Sequence, residues 1–258
     1  MKFVPYVCCG DPDIEFTYKL IKTFAPYSYL IELGVPFSDP IADGKTIQKA
    51  ANRSLKNGTN IEKIFSLVER LRKEQVTVPF VFMSYYNIIY SYGKEKFLNK
   101  MKEIGVQGLI IPDLPFGEDS EFEKLARKHD ISVINLIAPN TRPERAKKIL
   151  NVPSLFTYLV SVAGTTGARG QISEESLEFV KKIKKLADNN NTTNTTQLFV
   201  GFGISNPDQA KQFVGAGADG VIVGSEIINI YSKYLEHGQS PDKALDNLKI
   251  FAKRMSEI

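Results

Sequence analysis

The sequence predicts a single-domain α/β protein, a (β/α)8 TIM barrel that spans residues 1–258. Three observations support this fold class. Eight short and almost wholly apolar runs recur along the chain, amphipathic helical patterns separate most of them, and 258 residues suit eight βα units. Strands that are apolar throughout are expected where helices cover both faces of a parallel sheet. A doubly wound open sheet is the alternative arrangement of the same elements.

The eight predicted strands are bounded by glycine, proline or polar residues. They cover residues 3–7, 29–33, 78–83, 108–111, 131–136, 155–160, 198–200 and 220–223. Between the second and third strands, apolar residues at helical spacing predict one face of a helix: Ile61, Ile64, Phe65, Val68 and Leu71. Leu177, Val180 and Ile183 indicate a second helix in the same way. Residues 189–197 are polar and low in complexity, which predicts a surface excursion before the seventh strand.

Composition and charge argue against several classes of function. Lys and Arg exceed Asp and Glu by 33 to 29, and this net charge of +4 is spread along the chain, so nucleic-acid binding is not expected. No apolar run approaches the length of a membrane span, and the N-terminus lacks a signal-peptide pattern. Cys8 and Cys9 are adjacent and poorly placed to pair, which favours a reducing cytoplasm. His129 and His237 have no other plausible metal ligand nearby, so we expect no metal site.

The segment ELGVPFSDPIADG, residues 32–44, carries the strongest chemical signal. Glu32 lies inside an apolar run, where a charge is costly unless it is paired or its pKa is raised. The loop that follows holds Asp39 and Asp43. A carboxyl of raised pKa that faces other carboxylates can transfer protons. The alternative is structural: Glu32 would form an ion pair and the loop acids would cap the next helix.

Polar, aromatic and glycine residues gather after the predicted strands, where barrel enzymes form their sites. Tyr85, Asn87, Asp113 and Tyr158 follow or end three strands, although both tyrosines could serve core packing alone. Three glycine-rich segments follow the last three strands: residues 164–167, 201–203 and 224–225. Backbone N–H groups beside glycine, and the start of a helix after Gly224, would favour a bound phosphate. Each glycine could also simply serve a turn.

These segments resemble one family, the tryptophan synthase alpha chain, over nearly the whole length. The resemblance rests on residues 10–12, 32–44, 83–87, 112–113, 158, 161–168, 201–205 and 217–225. It implies a (β/α)8 barrel that cleaves indole-3-glycerol phosphate to indole and glyceraldehyde 3-phosphate. It also implies an α2β2 complex with a beta chain that carries pyridoxal phosphate, while this chain needs no cofactor of its own.

The resemblance implies a role for each candidate residue. Glu32 would be the acid–base, and Asp43 would bind the indole N–H, a choice over Asp39 that the residues alone leave open. The substrate-binding set is Tyr6, Tyr85, Tyr158, Thr166, Phe202 and Ile204. The phosphate-binding set is Gly167, Gly203, Gly224 and Ser225. The partner-interface set is Pro36, Asp39, Pro40 and Asn87.

The chain departs from the family pattern in three places. It begins almost directly at the first strand, without the usual N-terminal helix that covers the barrel. Lys45 stands where proline is usual, and Tyr6 replaces a common phenylalanine. Three other functions stay open: a stand-alone lyase, a phosphate-binding barrel isomerase of histidine or tryptophan synthesis, and a catalytically dead subunit that activates its partner.

Overall fold

Nine parallel strands form one sheet in the computed structural model, which describes residues 1–160, 172–189, 196–201 and 203–258. The strands are β1 (Lys2–Cys8), β2 (Ile31–Gly34), β3 (Phe80–Met83), β4 (Val106–Ile110), β5 (Ser132–Ile134), β6 (Leu136–Ile137), β7 (Thr157–Val160), β8 (Leu198–Gly201) and β9 (Gly220–Val223). Their order in the sheet is β5-β4-β3-β2-β1-β9-β8-β7-β6.

The two ends of this sheet are consecutive in the chain, so the sheet closes on itself. Only Asn135 separates β5 from β6, and its carbonyl accepts a hydrogen bond from Tyr158 N–H at 3.0 Å. β5 and β6 are therefore one barrel strand interrupted at Asn135, and the barrel has the eight strands that the sequence predicts. The (β/α)8 prediction is confirmed, and the open-sheet alternative is excluded.

Helices surround the barrel in the part of the chain that the structure describes. They are α1 (Ile14–Phe24), α2 (Lys45–Lys56), α3 (Ile61–Lys73), α4 (Tyr86–Tyr92), α5 (Lys94–Glu103), α6 (Ser120–Lys128), α7 (Pro143–Leu150), α8 (Glu174–Asp188), α9 (Pro207–Gly215), α10 (Ser225–Glu236) and α11 (Leu245–Ser256). The two helices predicted from apolar spacing are α3 and α8. Of the predicted excursion 189–197, residues 190–195 lie outside the described residues. No described helix is both long and apolar enough to cross a membrane.

Strand register decides which side chains face the barrel interior. Tyr6 is paired with Glu32, and Glu32 with Val81. Paired residues of neighbouring parallel strands point to the same face of the sheet. Glu32 therefore shares the interior with Tyr6, near the carboxyl ends of the strands.

Aromatic side chains occupy the opposite end of the barrel. The Tyr29 ring, 43% exposed, makes an edge contact with Phe199, and Phe199 stacks on Phe156 with centroids 4.5 Å apart. The Lys2 ammonium lies 4.5 Å from the centroid of the Tyr29 ring. These side chains contact one another at the amino ends of the strands. The predicted second strand, residues 29–33, begins only at Ile31 in the structure.

Candidate active site at the carboxyl ends of the strands

Glu32 is buried within β2 and is not committed to any structural partner that the structure describes. Its side chain is 2% exposed, and its Oε2 atom has no hydrogen-bond partner among the described residues. Burial, and secondarily the charge of Asp43, raises the pKa of this carboxyl to about 8. Among the described residues Glu32 forms no ion pair, so the structural alternative finds no support there. A carboxyl that is protonated at neutral pH and lies inside the barrel can give up a proton to a bound molecule.

Asp43 lies in the loop between β2 and α2 and is held from both sides. Its Oδ2 atom accepts a hydrogen bond from Tyr85 Oη at 2.9 Å, and its backbone carbonyl accepts one from Gln48 Nε2 at 2.7 Å. Burial raises the pKa of Asp43, whereas the Tyr85 hydrogen bond lowers it. The charges of Asp43 and Glu32 interact, so the loop brings the second carboxylate to the first.

Tyr85 acts on the Asp43 loop at three points. Its ring stacks on Phe37 with centroids 4.9 Å apart, its hydroxyl donates to Asp43, and the same hydroxyl accepts from Ala42 N–H at 3.1 Å. The residue is 1% exposed. These contacts add a positioning role to the substrate-binding role that the sequence suggested. The partners are 42 residues or more apart in the chain, so spacing alone could not reveal them.

Tyr6 and Tyr158 occupy the interior because glycines make room for them. A methyl group added at Gly34 would overlap the Tyr6 hydroxyl, and one added at Gly201 would overlap the Tyr158 hydroxyl. Burial raises the pKa of each phenol well above its ordinary value, and the charge of Glu32 adds to both shifts. Tyr6 is buried, while Tyr158 keeps part of its surface accessible, as expected for a side chain that faces a cavity. Tyr6 and Tyr158, two of the three predicted substrate-binding tyrosines, therefore lie near the carboxyl pair.

The described part of the glycine cradle lies at the ends of β8 and β9. Gly203 has φ = 53°, a left-handed conformation that favours glycine. Gly224 precedes α10, which begins at Ser225, so free N–H groups of the first helical turn are available there. A methyl group at Gly224 would lie 3.0 Å from the Tyr6 ring, so the backbone passes close to the interior. Ile204, next to Gly203 in the chain, is 3% exposed.

Three predicted site residues lie outside the described residues: Thr166, Gly167 and Phe202. Asp113, which the sequence placed after the fourth strand, accepts a hydrogen bond from Tyr86 N–H at 2.9 Å and so ties the loop after β4 to the start of α4. Among the described residues no group of three or more His, Cys, Asp or Glu side chains could hold a metal ion. His129 follows α6 and precedes β5, at the end of the barrel opposite the site.

The predicted partner-interface residues differ in exposure. Pro36 is buried and Pro40 is half-buried, whereas Asp39 and Asn87 are exposed. The sequence analysis missed two apolar neighbours of this set, Ile41 and Tyr90, which are 78% and 67% exposed. Ile41 lies in the loop that carries Asp43, and Tyr90 lies on α4. The isoleucine between Pro40 and Ala42, in the loop after the second strand, was the available signal.

The fold and the site together define a (β/α)8 barrel enzyme with carboxylates and a glycine cradle at the carboxyl ends of its strands. The sequence model of one family, described as tryptophan synthase alpha chain, matches residues 1–258. The chain belongs to the tryptophan synthase alpha chain family.

Curated relatives and solved structures agree with this assignment. The tryptophan synthase alpha chain of Methanococcus voltae is 44% identical over 254 residues, which cover 98% of this chain and 86% of the relative. That of Pyrococcus abyssi is 42% identical over 242 residues, which cover 94% and 93%. A Pyrococcus furiosus structure that addresses mutual activation of the tryptophan synthase α2β2 complex matches with a TM-score of 0.89 at 37% identity, covering 100% of this chain and 98% of that one.

Proposed function

We propose that this chain, as one barrel domain, cleaves indole-3-glycerol phosphate to indole and glyceraldehyde 3-phosphate. The observation that carries the proposal is Glu32: a buried carboxyl of raised pKa, with a free Oε2 atom, beside a second carboxylate on a loop. The reaction needs one group that first gives and then takes a proton. A carboxyl with a pKa of about 8 can do both near neutral pH.

Glu32 moves two protons in this retro-aldol cleavage. It donates its proton to indole C3, and its carboxylate then takes the proton of the hydroxyl on the adjacent side-chain carbon. The bond between that carbon and C3 breaks, its electrons return to the indole ring, and the hydroxyl oxygen becomes the aldehyde oxygen. The proton count balances, and Glu32 ends the cycle protonated.

Asp43 stabilises the state in which C3 carries the extra proton. Protonation at C3 draws electrons from the ring nitrogen, so a positive charge develops at its N–H. A carboxylate that accepts a hydrogen bond from this N–H lowers the energy of that state. Tyr85 and Gln48 fix the carboxylate and the backbone of Asp43, so little reorganisation is needed during the reaction.

The remaining residues bind and orient the substrate. Backbone N–H groups at Gly203, Gly224 and Ser225, with Gly167, hold the phosphate, and the helix dipole of α10 favours its charge. Tyr6 and Tyr158 contact the substrate between the phosphate and the carboxyl pair, together with Thr166, Phe202 and Ile204.

The chain works as the alpha subunit of an α2β2 complex in the cytoplasm, where the buried free thiols of Cys8 and Cys9 stay reduced. The beta chain supplies pyridoxal phosphate and consumes the indole. It docks on the catalytic face, where Asp39, Pro40 and Asn87 lie and where the exposed Ile41 offers apolar contact area.

The test is an indole-release assay with purified chain and indole-3-glycerol phosphate, with and without the cognate beta chain. We expect slow release from the chain alone, faster release in the complex, and none from Glu32→Gln, which keeps the side-chain shape but cannot transfer the proton. Turnover by Glu32→Gln close to that of the wild type would overturn the proposal. Equal rates with and without the beta chain, and no complex on a sizing column, would instead favour a stand-alone lyase.

A further inference from the structure

Asp11 is a buried carboxylate outside the reacting pair, and three hydrogen bonds converge on it. It follows β1 and is 1% exposed. Arg53 donates to it twice, from Nε and from Nη2, at 2.8 Å each, and Tyr231 Oη donates at 2.5 Å. A bidentate pair of this kind fixes orientation as well as distance. Breaking it on one side leaves a buried charge without its partner, which is costly.

Arg53 connects this carboxylate to the helix that follows the Asp43 loop. It lies on α2, which begins only two residues after Asp43, and the neighbouring Ser54 Oγ donates to the carbonyl of Cys9 at 2.6 Å. At the start of the same helix, Gln48 holds the backbone of Asp43. The position of α2 against the end of β1 therefore sets the position of Asp43.

Tyr231 connects the same carboxylate to the helix whose N-terminus lies at the glycine cradle. It lies on α10, and its ring contacts Phe16 edge-on with centroids 5.1 Å apart. Arg53 Nη2 also donates to Ser232 Oγ of α10 at 3.1 Å. The two helices therefore share one buried anchor, although Asp11 and Tyr231 are 220 residues apart in the chain.

We propose that Asp11, Arg53 and Tyr231 form a positioning cluster that fixes the Asp43 loop relative to the phosphate-binding end of α10. This deepens the proposed function and rests on it, because the reacting carbon must meet Asp43 and Glu32 while the phosphate stays in the cradle. None of the three side chains is among those placed against the substrate. Their effect is exerted through α2 and α10, and a displacement of about 1 Å at a reacting group can cost on the order of a hundredfold in rate.

If the cluster positions both helices, its connection to α2 and its connection to α10 should affect different kinetic constants. Arg53→Gln releases α2 and should lower kcat for indole release by about tenfold or more. Because Arg53 also donates to Ser232 of α10, the affinity for inorganic phosphate should fall as well, but by less than kcat does. Tyr231→Phe removes one hydrogen bond on the α10 side. It should weaken phosphate binding and raise KM by about two- to tenfold, as expected for one net hydrogen bond, with kcat within about twofold.

Two control variants make the same two substitutions, Arg to Gln and Tyr to Phe, at residues that do not contact Asp11. Arg70→Gln removes an α3 guanidinium that pairs at the surface with Glu15, and Tyr234→Phe removes a hydroxyl of α10 that binds exposed Asn247. Neither should change kcat, KM or phosphate affinity. Titration calorimetry measures inorganic phosphate binding, steady-state assays give kcat and KM, and circular dichroism melts report folding. If Arg53→Gln fails to fold, Arg53→Lys is the second variant, because it keeps the charge but cannot form the bidentate pair with Asp11. It should also lower kcat more than phosphate affinity, with a smaller effect on both.

The outcomes separate this proposal from the function on which it rests. A wild type that binds phosphate but releases no indole would refute the proposed activity. Phosphate binding to Tyr231→Phe would then still test the cluster. Variants that melt at lower temperature but keep wild-type kcat, KM and phosphate affinity would overturn the positioning role. Equal losses of kcat and phosphate affinity in both variants would overturn it as well.

Discussion

Replacing Glu32 with glutamine should stabilise the protein at neutral and alkaline pH while it abolishes indole release. Burial and the charge of Asp43 raise the pKa of this carboxyl from its ordinary 4.5 to about 8. The unfolded chain exposes the carboxyl to water, where it titrates near its ordinary value. Between these two pKa values the folded protein holds a proton that the unfolded chain has lost, so stability falls as the pH rises through this window.

The size of the effect follows from the two pKa values. Each pH unit within the window costs about 1.4 kcal/mol. Glu32 therefore destabilises the fold by about 3 kcal/mol at pH 7 and by about 5 kcal/mol above pH 8, relative to its protonated form. Glutamine has a similar shape and no charge, so the variant avoids this cost. Near pH 4.5 the two proteins should be almost equally stable.

Urea unfolding of wild type and Glu32→Gln at several pH values between 5 and 9 measures this difference. Subtracting one free energy of unfolding from the other removes the contributions of all other titrating groups, provided that they are unchanged. Glu118→Gln, in an exposed loop, is the matched control for the substitution itself. A difference that does not change with pH, or a wild type that is the more stable protein at pH 8, would refute the assignment of a buried, proton-holding Glu32.

Three further substitutions test other parts of the site by steady-state assay of the isolated chain. Asp43→Asn should lower kcat by on the order of a hundredfold, because it removes the charge that stabilises the protonated indole; exposed Asp39→Asn should change it less than about twofold, and the reverse order would contradict the roles. Tyr85→Phe should lower kcat about tenfold with little change in KM, since the Asp43 loop loses two hydrogen bonds. An unchanged kcat would show that the Tyr85 hydroxyl does not position the loop and that the side chain only packs. Gly224→Val should raise KM and weaken inhibition by inorganic phosphate by about tenfold or more, because even a methyl there crowds Tyr6; normal phosphate inhibition would place the anion elsewhere.

Local sequence signals were sufficient for the barrel and for the Asp43 loop, but not for their supporting contacts. Apolar runs predicted all eight barrel strands because burial on both faces demands such runs, although strand ends shifted by up to about two residues. Glu32 stood out because a carboxylate inside an apolar run is costly. By contrast, the interruption at Asn135 and the anchor at Asp11 depend on partners far away in the chain, and no pattern of neighbouring residues encodes them.

The interruption at Asn135 also divides the barrel into two half-barrels of unequal character. The first half, β1 to β5, carries Glu32 and the loop with Asp43, while the second, β6 to β9, carries Gly203 and Gly224. The residues proposed for proton transfer and the described glycines proposed for phosphate binding are thus encoded in separate, contiguous stretches of the gene. Laboratory evolution toward other phosphorylated substrates could therefore mutate one stretch and keep the other intact. The paired strands β1 and β9, where the two halves meet, are then the place where compensating substitutions would be needed.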